Sequence, residues 1–537
     1  MNSKDKIKLI RAALSEHNNH WDALRPEMKR LDNLYANKFW ASEPWHEDLI
    51  RVEVAEGYGF VEGYVASLFS QAPSISVEAD LKGEGNEDIV KELADRFLYD
   101  TFKQMEACTR QALIYTNSFI KIAPRESNSV FDMATLRALP PWEVIVDRDA
   151  VRWDDQRFVG HVYYMTIPDA KAKWGSKDYT AIPKTNFLEA RKANEDDLPN
   201  EYLYIQVVEF YNMIEDTLIF WSPQWKNGES YLEENVIPIR THDDKPLPAI
   251  ASLYFVREPS VPLAGISSLT RVYDQAKEKN VIRSFWANAI RRDTRQYLYK
   301  EGAFDDEQLV KMSSGIDGAF IGVDEESLEG LIKEIPNTPI PYNHDKYLAM
   351  IEDDLNKGTV MAPFTRGEGQ SGATATEIRA QYAYSSSEVG RLARERDAMI
   401  EEVANIYIRM MSTLLGDEGE VISMAGKPAL VGVSDLEGKF KYHALDMAST
   451  PLAEEMKQQQ FISLIPVLQG VGITPEQIKK QLVVLYGDIL PIEWGEEVVE
   501  EAAPEAIGAP GAGLLGEDTG APPIDGIPGV PVPEGLA

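Results

Sequence analysis

The sequence has one cysteine, Cys108, in 537 residues. That excludes an internal disulfide and any multi-cysteine zinc site, and it points to folding in a reducing cytoplasm. Long apolar runs are missing as well. The longest span a few residues, as in Leu482 to Tyr486 (LVVLY), far short of the ~20 residues that a membrane-spanning helix requires. The first twenty residues, MNSKDKIKLIRAALSEHNNH, are charged and lack a signal-peptide stretch. The phosphate-binding pattern GxxxxGK followed by Ser or Thr occurs nowhere, which argues against ATP hydrolysis by that route. Positive charge is scarce: 54 Lys and Arg against 87 Asp and Glu leave a net charge of −33. A protein that grips nucleic acid through many phosphate contacts has the opposite balance. Solubility or a saline habitat accounts for such acidity as readily as a special role does.

The length suggests two to four structural units. Residues 5–40 and 47–71 have helical periodicity, the second stretch ending at Ala72-Pro73. Ser74 to Val77 reads as extended, and Glu87 to Tyr115 as a helix with Leu93, Phe97, Met105, Ala112 and Tyr115 near one face. FIKIA at 119–123 alternates like a strand, and Trp142 to Met165 reads as strand, acidic turn and strand. A helix near 168–174 precedes the strands YLYIQVVEFYN and DTLIFWS, so 130–262 is predicted to be mostly β.

A helix then opens at Gly265 to Ser268, with a serine placed to cap it, and runs to Lys300. It carries eight basic and three acidic residues from Arg271 to Lys300 and would be about 45–50 Å long. Its predicted stripe is Leu269, Val272, Tyr273, Ala276, Trp286, Ile290 and Tyr297. A small mixed segment follows: a helix near 305–312, GAFIGV at 318–323, an acidic helix near 325–330 and LIKEI at 331–335. A second helix, 343–357, ends at Gly358. TVMAPFTRGEGQSGA at 359–373 reads as a mobile loop. Thr374 and Glu377 form a capping box that starts a helix of about 42 residues, to Gly416. A β-like return at 436–448 and helices near 452–469 and 475–486 complete the folded part. From Glu496 the chain is mostly Gly, Pro, Ala and acid, without a single Lys or Arg after Lys480, and is expected to be disordered.

Few residues suggest chemistry. Gly367, Gly369 and Gly372 match G-x-G-x-x-G before a helix, but a dinucleotide site needs a strand in front and an acid on a second strand about 20 residues on. Neither is predicted here. His17 and His20 stand one turn apart without a third ligand and are expected at the surface. His46-Glu47 lacks a zincin's second histidine. Asp147, Asp149, Asp154 and Asp155 suggest a hydrated hairpin tip or a weak cation site. Cys108 reads as a packing residue. No catalytic, cofactor-binding or metal residue is assigned, and the chain is not expected to be an enzyme.

The order of elements, with several local phrases, resembles the portal proteins of tailed bacteriophages, of the short-tailed kind. The phrases are ASLFSQAPSISV at 66–77, PPWEVIVDRDA followed by RFVGHVYYM, GQSGATATEIRAQYAYSSSEV with Thr374-Ala375-Thr376-Glu377, and LDMASTPLAEEMKQQ. The resemblance implies an α+β, mainly helical portal-type fold. Its parts would be a wing at 1–262 (helical 1–118, β-rich 119–262), stem helices at 263–300 and 342–358, and a clip at 301–341. A tunnel loop at 359–373, a long wing helix with return strands at 374–449, a crown at 450–495 and a tail at 496–537 would follow.

It further implies a homo-oligomeric ring, a dodecamer in that family, at one capsid vertex of the virion, assembled in the host cytoplasm. Double-stranded DNA would pass through it during packaging and ejection. Expected partners are the terminase large subunit, the head-to-tail adaptor, and the major capsid and scaffolding proteins, with no membrane and no cofactor. Channel candidates are Arg366 and Phe364 in the loop and Arg283, Arg291, Arg292 and Arg295 on the basic rod. Two alternatives remain: a soluble nucleotide-binding enzyme using GEGQSG, or another virion head-to-tail connector ring, against which the length counts.

Overall fold

A computed structural model describes residues 2–45, 49–80, 85–175, 177–183, 187–188, 203–259, 264–292, 297–299, 306, 310, 332–334, 344–359, 375–416, 419–424 and 427–445. The chain divides into Met1–Glu454 and Glu455–Ala537; the described residues belong to the first unit, a mixture of helix and strand. No helix among them is long and apolar enough to cross a membrane.

Helix α1 (Ser3–Tyr35) starts where the Asn2 side chain accepts a hydrogen bond from the Asp5 amide at 2.9 Å. It serves two cores. Its first half packs Ile7, Ile10, Ala13 and Leu14 on Ile145, Val162, Val208, Phe210, Ile219 and Trp221. Its second half places Trp21, Met28, Leu31 and Leu34 in the main core. Helix α2 (Glu56–Leu68) is shorter than its periodicity suggests, because residues 49–55 are not helical. Helix α3 (Glu87–Ile114) ends where strand β2 is about to begin.

The β-rich block forms two antiparallel sheets. Strands β2 (Ser118–Pro124), β3 (Ala134–Leu139) and β9 (Ile250–Leu253) lie in the order β3-β2-β9. Strands β4 (Val144–Val146), β5 (Phe158–Thr166), β6 (Tyr204–Asn212), β7 (Thr217–Trp221) and β8 (Tyr231–Val236) form a meander in sequence order. Alternation set this register: β5 and β6 pair from Phe158 with Asn212 to Thr166 with Tyr204. Helix α4 (Ile167–Trp174) follows β5, capped by the Thr166 side chain.

Helix α5 (Thr270–Arg292) ends before the predicted Lys300. Tyr297 is not the end of a helical stripe but the first residue of β10 (Tyr297–Tyr299), antiparallel to β11 (Ile332–Glu334). Apolar residues at helical spacing also satisfy a three-residue strand, and the strand's partner lies 35 residues on. Helix α6 (His344–Thr359) packs beside α5.

Helix α7 (Ala375–Leu414) is the longest element among the described residues. It lies against α3, where Phe97 stacks on Tyr407 with ring centroids 4.0 Å apart. Beside them Cys108 Sγ meets Met399 Sδ at 3.8 Å, the packing role expected of that cysteine. Arg396 is fully buried and donates to the Leu68 carbonyl at the end of α2 and to Asp397, which satisfies a carbonyl that a helix terminus leaves open. The hairpin β12 (Glu420–Met424) and β13 (Lys427–Val431) was not apparent in the sequence. Strand β14 (Phe440–Ala444) then pairs with β1 (Ile75–Ala79), Ile75 opposite Ala444. The capping residue Thr374, the segments at 318–323 and 325–330, the loop 360–373, the terminal helices, the tail and His46-Glu47 lie outside the described residues.

Candidate functional site

Of the paired rods α5 and α6, α5 carries three of the six channel candidates, Arg283, Arg291 and Arg292. Helix α5 is set in place at its start. Ser267 Oγ donates to the Ile114 carbonyl at 2.7 Å and accepts from the Leu269 amide at 3.1 Å. A Cβ on Gly265 would lie 1.8 Å from the Thr116 carbonyl oxygen, so that position admits glycine alone. Leu269, Val272, Tyr273 and Ala276 are buried, as the stripe predicted.

Beyond Ala276 the buried face changes character. Asn280, Ser284 and Asn288 follow at four-residue intervals, all buried. Asn280 Oδ1 accepts from the Val54 amide at 2.8 Å, Ser284 Oγ from the Val52 amide at 2.8 Å, and Asn288 Oδ1 from the Ile50 amide at 2.9 Å. Asn288 Nδ2 donates back to the Ile50 carbonyl at 2.9 Å. Four helical residues rise about 6 Å and two extended residues about 6.7 Å, so alternate backbone groups of 50–54 meet successive turns of α5. This rail explains why 49–55 is not helix. The spacing Asn-x-x-x-Ser-x-x-x-Asn is the sequence signal that could have found it.

Charges tie the rod to its neighbours. Buried Lys279 reaches Glu56 at 2.6 Å and Glu352 of α6 at 3.4 Å. Glu43 accepts from Lys277 at 2.7 Å and from the Tyr273 hydroxyl at 2.9 Å, and the Arg30 guanidinium lies 4.5 Å from the Tyr273 ring centre. Burial works to raise the Glu43 carboxyl, but the Lys277 and Tyr273 hydrogen bonds outweigh it and hold the group below its usual range.

Arg283 is exposed on α5 and forms no ion pair among the described residues. Arg291 and Arg292 are the last two residues of the same helix. Arg295, Phe364 and Arg366 lie outside the described residues, as does GEGQSG. On α6, Ile351 and Leu355 are buried, while Tyr347 and Met350 are 43% and 62% exposed. Phe285 of α5 is 56% exposed. The pair therefore presents both an arginine and partly exposed apolar side chains to its surroundings, Phe285 resting edge-on against Trp45 and the Tyr347 hydroxyl donating to Glu278.

Other candidates are corrected. His17 is not at the surface: it is buried, its Nε2 lies 2.9 Å from the Trp142 carbonyl, and desolvation lowers its pKa to about 4. His20 packs edge-on against Trp21, and desolvation lowers it to about 4 as well. Asp147 is buried rather than hydrated. Arg157 clamps both of its oxygens and also reaches Asp149 at 2.7 Å, so an arginine occupies the place of a cation and holds the Asp147 carboxyl low. Asp154 fits the exposed tip, paired with Arg152 at 3.3 Å. No group of three His, Cys, Asp or Glu able to hold a metal occurs among the described residues.

A buried polar group between the two sheets was not apparent from the sequence. Lys121 of β2 reaches Glu209 of β6 at 2.5 Å and His161 Nδ1 of β5 at 3.2 Å, and the Tyr211 hydroxyl donates to Glu209 at 2.6 Å. Desolvation lowers both Lys121 and His161. Because Lys121 donates to Nδ1, the neutral imidazole keeps its proton on Nε2, 3.9 Å from the Glu143 carboxylate.

No family model matches the chain, and no curated protein does. Among solved structures, it is similar to a chain in the virion of a native gene transfer agent particle, with 12% identity and a TM-score of 0.40. That match covers 87% of this chain and 94% of the other. A chain in the neck of an empty gene transfer agent particle gives 12% identity and a TM-score of 0.41, over 80% and 90%.

Proposed function

We propose that the chain is a phage portal subunit, forming the ring-shaped DNA channel at one capsid vertex for packaging, head-to-tail joining and ejection. The observation that carries this reading is the pairing of α5 with α6, two adjacent helices on which Phe285, Tyr347 and Met350 are exposed. Closed cyclic symmetry gives every subunit two neighbours to cover such faces. The portal-like phrases agree with it, including Thr374-Ala375-Thr376-Glu377 beside the start of α7 at Ala375.

In this reading Arg283, Arg291, Arg292, Arg295 and Arg366 face the channel with Phe364. A net charge of −33 per copy keeps DNA from adhering, while a few arginines steady it. The ring is a dodecamer that docks the terminase large subunit and the adaptor, with capsid and scaffolding proteins around it. The test is DNA packaging by matched procapsids assembled with and without the chain. Packaging restored by the wild-type protein supports the reading. Equal packaging without it contradicts the reading, and stabilisation of the purified chain by a nucleotide would favour the enzyme alternative.

A further inference from the structure

The polar group around Lys121 joins two sheets that share no ladder: β2, β3 and β9 pair among themselves, as do β4 to β8. Lys121 of β2 gives one hydrogen bond to Glu209 of β6 and another to His161 Nδ1 of β5. All three side chains are at most 9% exposed. Glu209 is engaged at both oxygens, by Lys121 and by the Tyr211 hydroxyl. Side chains alone hold the sheets together at this point, and a buried polar link of this kind is costly to leave half made.

The two nitrogens of His161 are unequally served. Nδ1 accepts from an ammonium, which has no lone pair to offer in return. Nε2 is buried and has no hydrogen-bond partner among the described residues. It lies 3.9 Å from the Glu143 carboxylate, too long for a hydrogen bond and short enough for one small movement to make it. Arg137 of β3 shares that carboxylate at 3.7 Å. Tyr163 stacks on the imidazole with ring centroids 4.9 Å apart, and Lys173 of α4 and Glu233 of β8 act on the cluster from farther out. Burial, Lys121 and Arg137 all oppose a charge on His161 and hold it well below its usual value.

We propose that this joint between the sheets is operated by a proton, which switches His161 from Lys121 to Glu143. When Nδ1 takes a proton from solvent it becomes a donor facing the Lys121 ammonium, and the 3.2 Å hydrogen bond between them is lost. The imidazolium turns its Nε2–H onto Glu143, while Lys121 keeps Glu209 alone. Of the two hydrogen bonds that tie Lys121 to the five-stranded sheet, one remains. The sign follows from the neutral ring: it supports the closed joint fully above about pH 6.5, the value of an unfolded histidine, and less as acid is added. His17 and His20, both lowered to about 4, give slopes of the same sign, so a test must read His161 itself.

The experiment is NMR of the full chain with isotope-labelled histidine, a residue that occurs seven times. The His161 signal is the one missing from His161→Asn or His161→Gln. At pH 7 the ring should be neutral with its proton on Nε2, and on acidification it should take up a proton before the chain unfolds. Glu143→Gln keeps the shape and removes the charge that receives the imidazolium, so it should move the midpoint about half a pH unit or more to the acid side. His161→Asn is the second arm: its carbonyl oxygen replaces Nδ1 as the acceptor for Lys121 and takes up no proton. Its melting temperature should fall less than that of the wild type between pH 7 and pH 5. A proton on Nδ1 at pH 7, a ring that stays neutral until the chain unfolds, or a midpoint unmoved by Glu143→Gln overturns the proposal.

Discussion

The core around α3 and α7 and the rod pair of α5 and α6 are made from similar amphipathic helices, yet the long pair leaves Tyr99 and Leu414 exposed, while the shorter pair leaves Phe285, Tyr347 and Met350 so. In the core, Leu98, Met105, Ile400 and Val403 are shielded almost completely and Phe97 lies flat on Tyr407. In the rods, one side is buried, in part on polar groups, while Phe285, Tyr347 and Met350 face outward. Helix propensity and periodicity do not distinguish the two. In the proposed ring, what differs is whether the same copy supplies the neighbour.

The sharpest way to break this contrast is substitution on each side of it. Tyr407→Ala should destabilise the monomer by about 3–5 kcal/mol in denaturant titration, since it removes a stacked ring and the hydrogen bond to the Phe131 carbonyl. Met350→Ser should change monomer stability by less than about 0.5 kcal/mol while lowering the yield of assembled rings. Equal destabilisation by both would show that the rods are finished within one copy.

The rail on α5 gives the next largest effect. Asn288→Ala removes both contacts to Ile50 and should cost about 1–3 kcal/mol. Amide exchange locates the loss: the amides of Ile50, Val52 and Val54 should exchange slowly in the wild type and faster in the variant. Wild-type protection at all three would leave the rail without a role.

Another effect depends on pH. Desolvation pushes the Glu402 carboxyl up to about 8, against a usual value of 4.5. The folded chain therefore keeps a proton that the unfolded chain releases, and stability is greatest below about pH 4.5 for this group. It declines as pH rises toward 8, by at most about 1.4 kcal/mol per pH unit. Glu402→Gln should flatten that slope between pH 5 and 8 in thermal melts. An unchanged slope would assign it to other groups.

Long regular periods were legible in the sequence, and contacts between distant polar groups were not. Helices α3 and α7 and the strands β4 to β7 follow from apolar spacing and turn residues, because each signal is local. Residues 49–55 were misread as helix because Asn280, Ser284 and Asn288, which hold them extended, lie more than 220 residues away. Tyr297 was misread because apolar spacing fits a helix as well as a short strand. His17 gave no sign of the Trp142 carbonyl it contacts. Of the six channel candidates, Arg283, Arg291 and Arg292 share one helix, and the rest fall outside the described residues.

The smallest expected effect belongs to Arg283. Exposed and unpaired among the described residues, it should be replaceable by Ala within about 0.5 kcal/mol of monomer stability. In the channel reading the same change weakens DNA retention in a salt-dependent way, measured by release of packaged DNA. Retention equal to wild type at every salt concentration would remove Arg283 from the channel.

The central claim, that the rods need neighbours from other copies, is tested most directly by electron microscopy of the purified full chain, with native mass measurement on the same sample. The account predicts closed rings with a central channel and one repeating mass. Monomer alone, across protein concentration and salt, would contradict it.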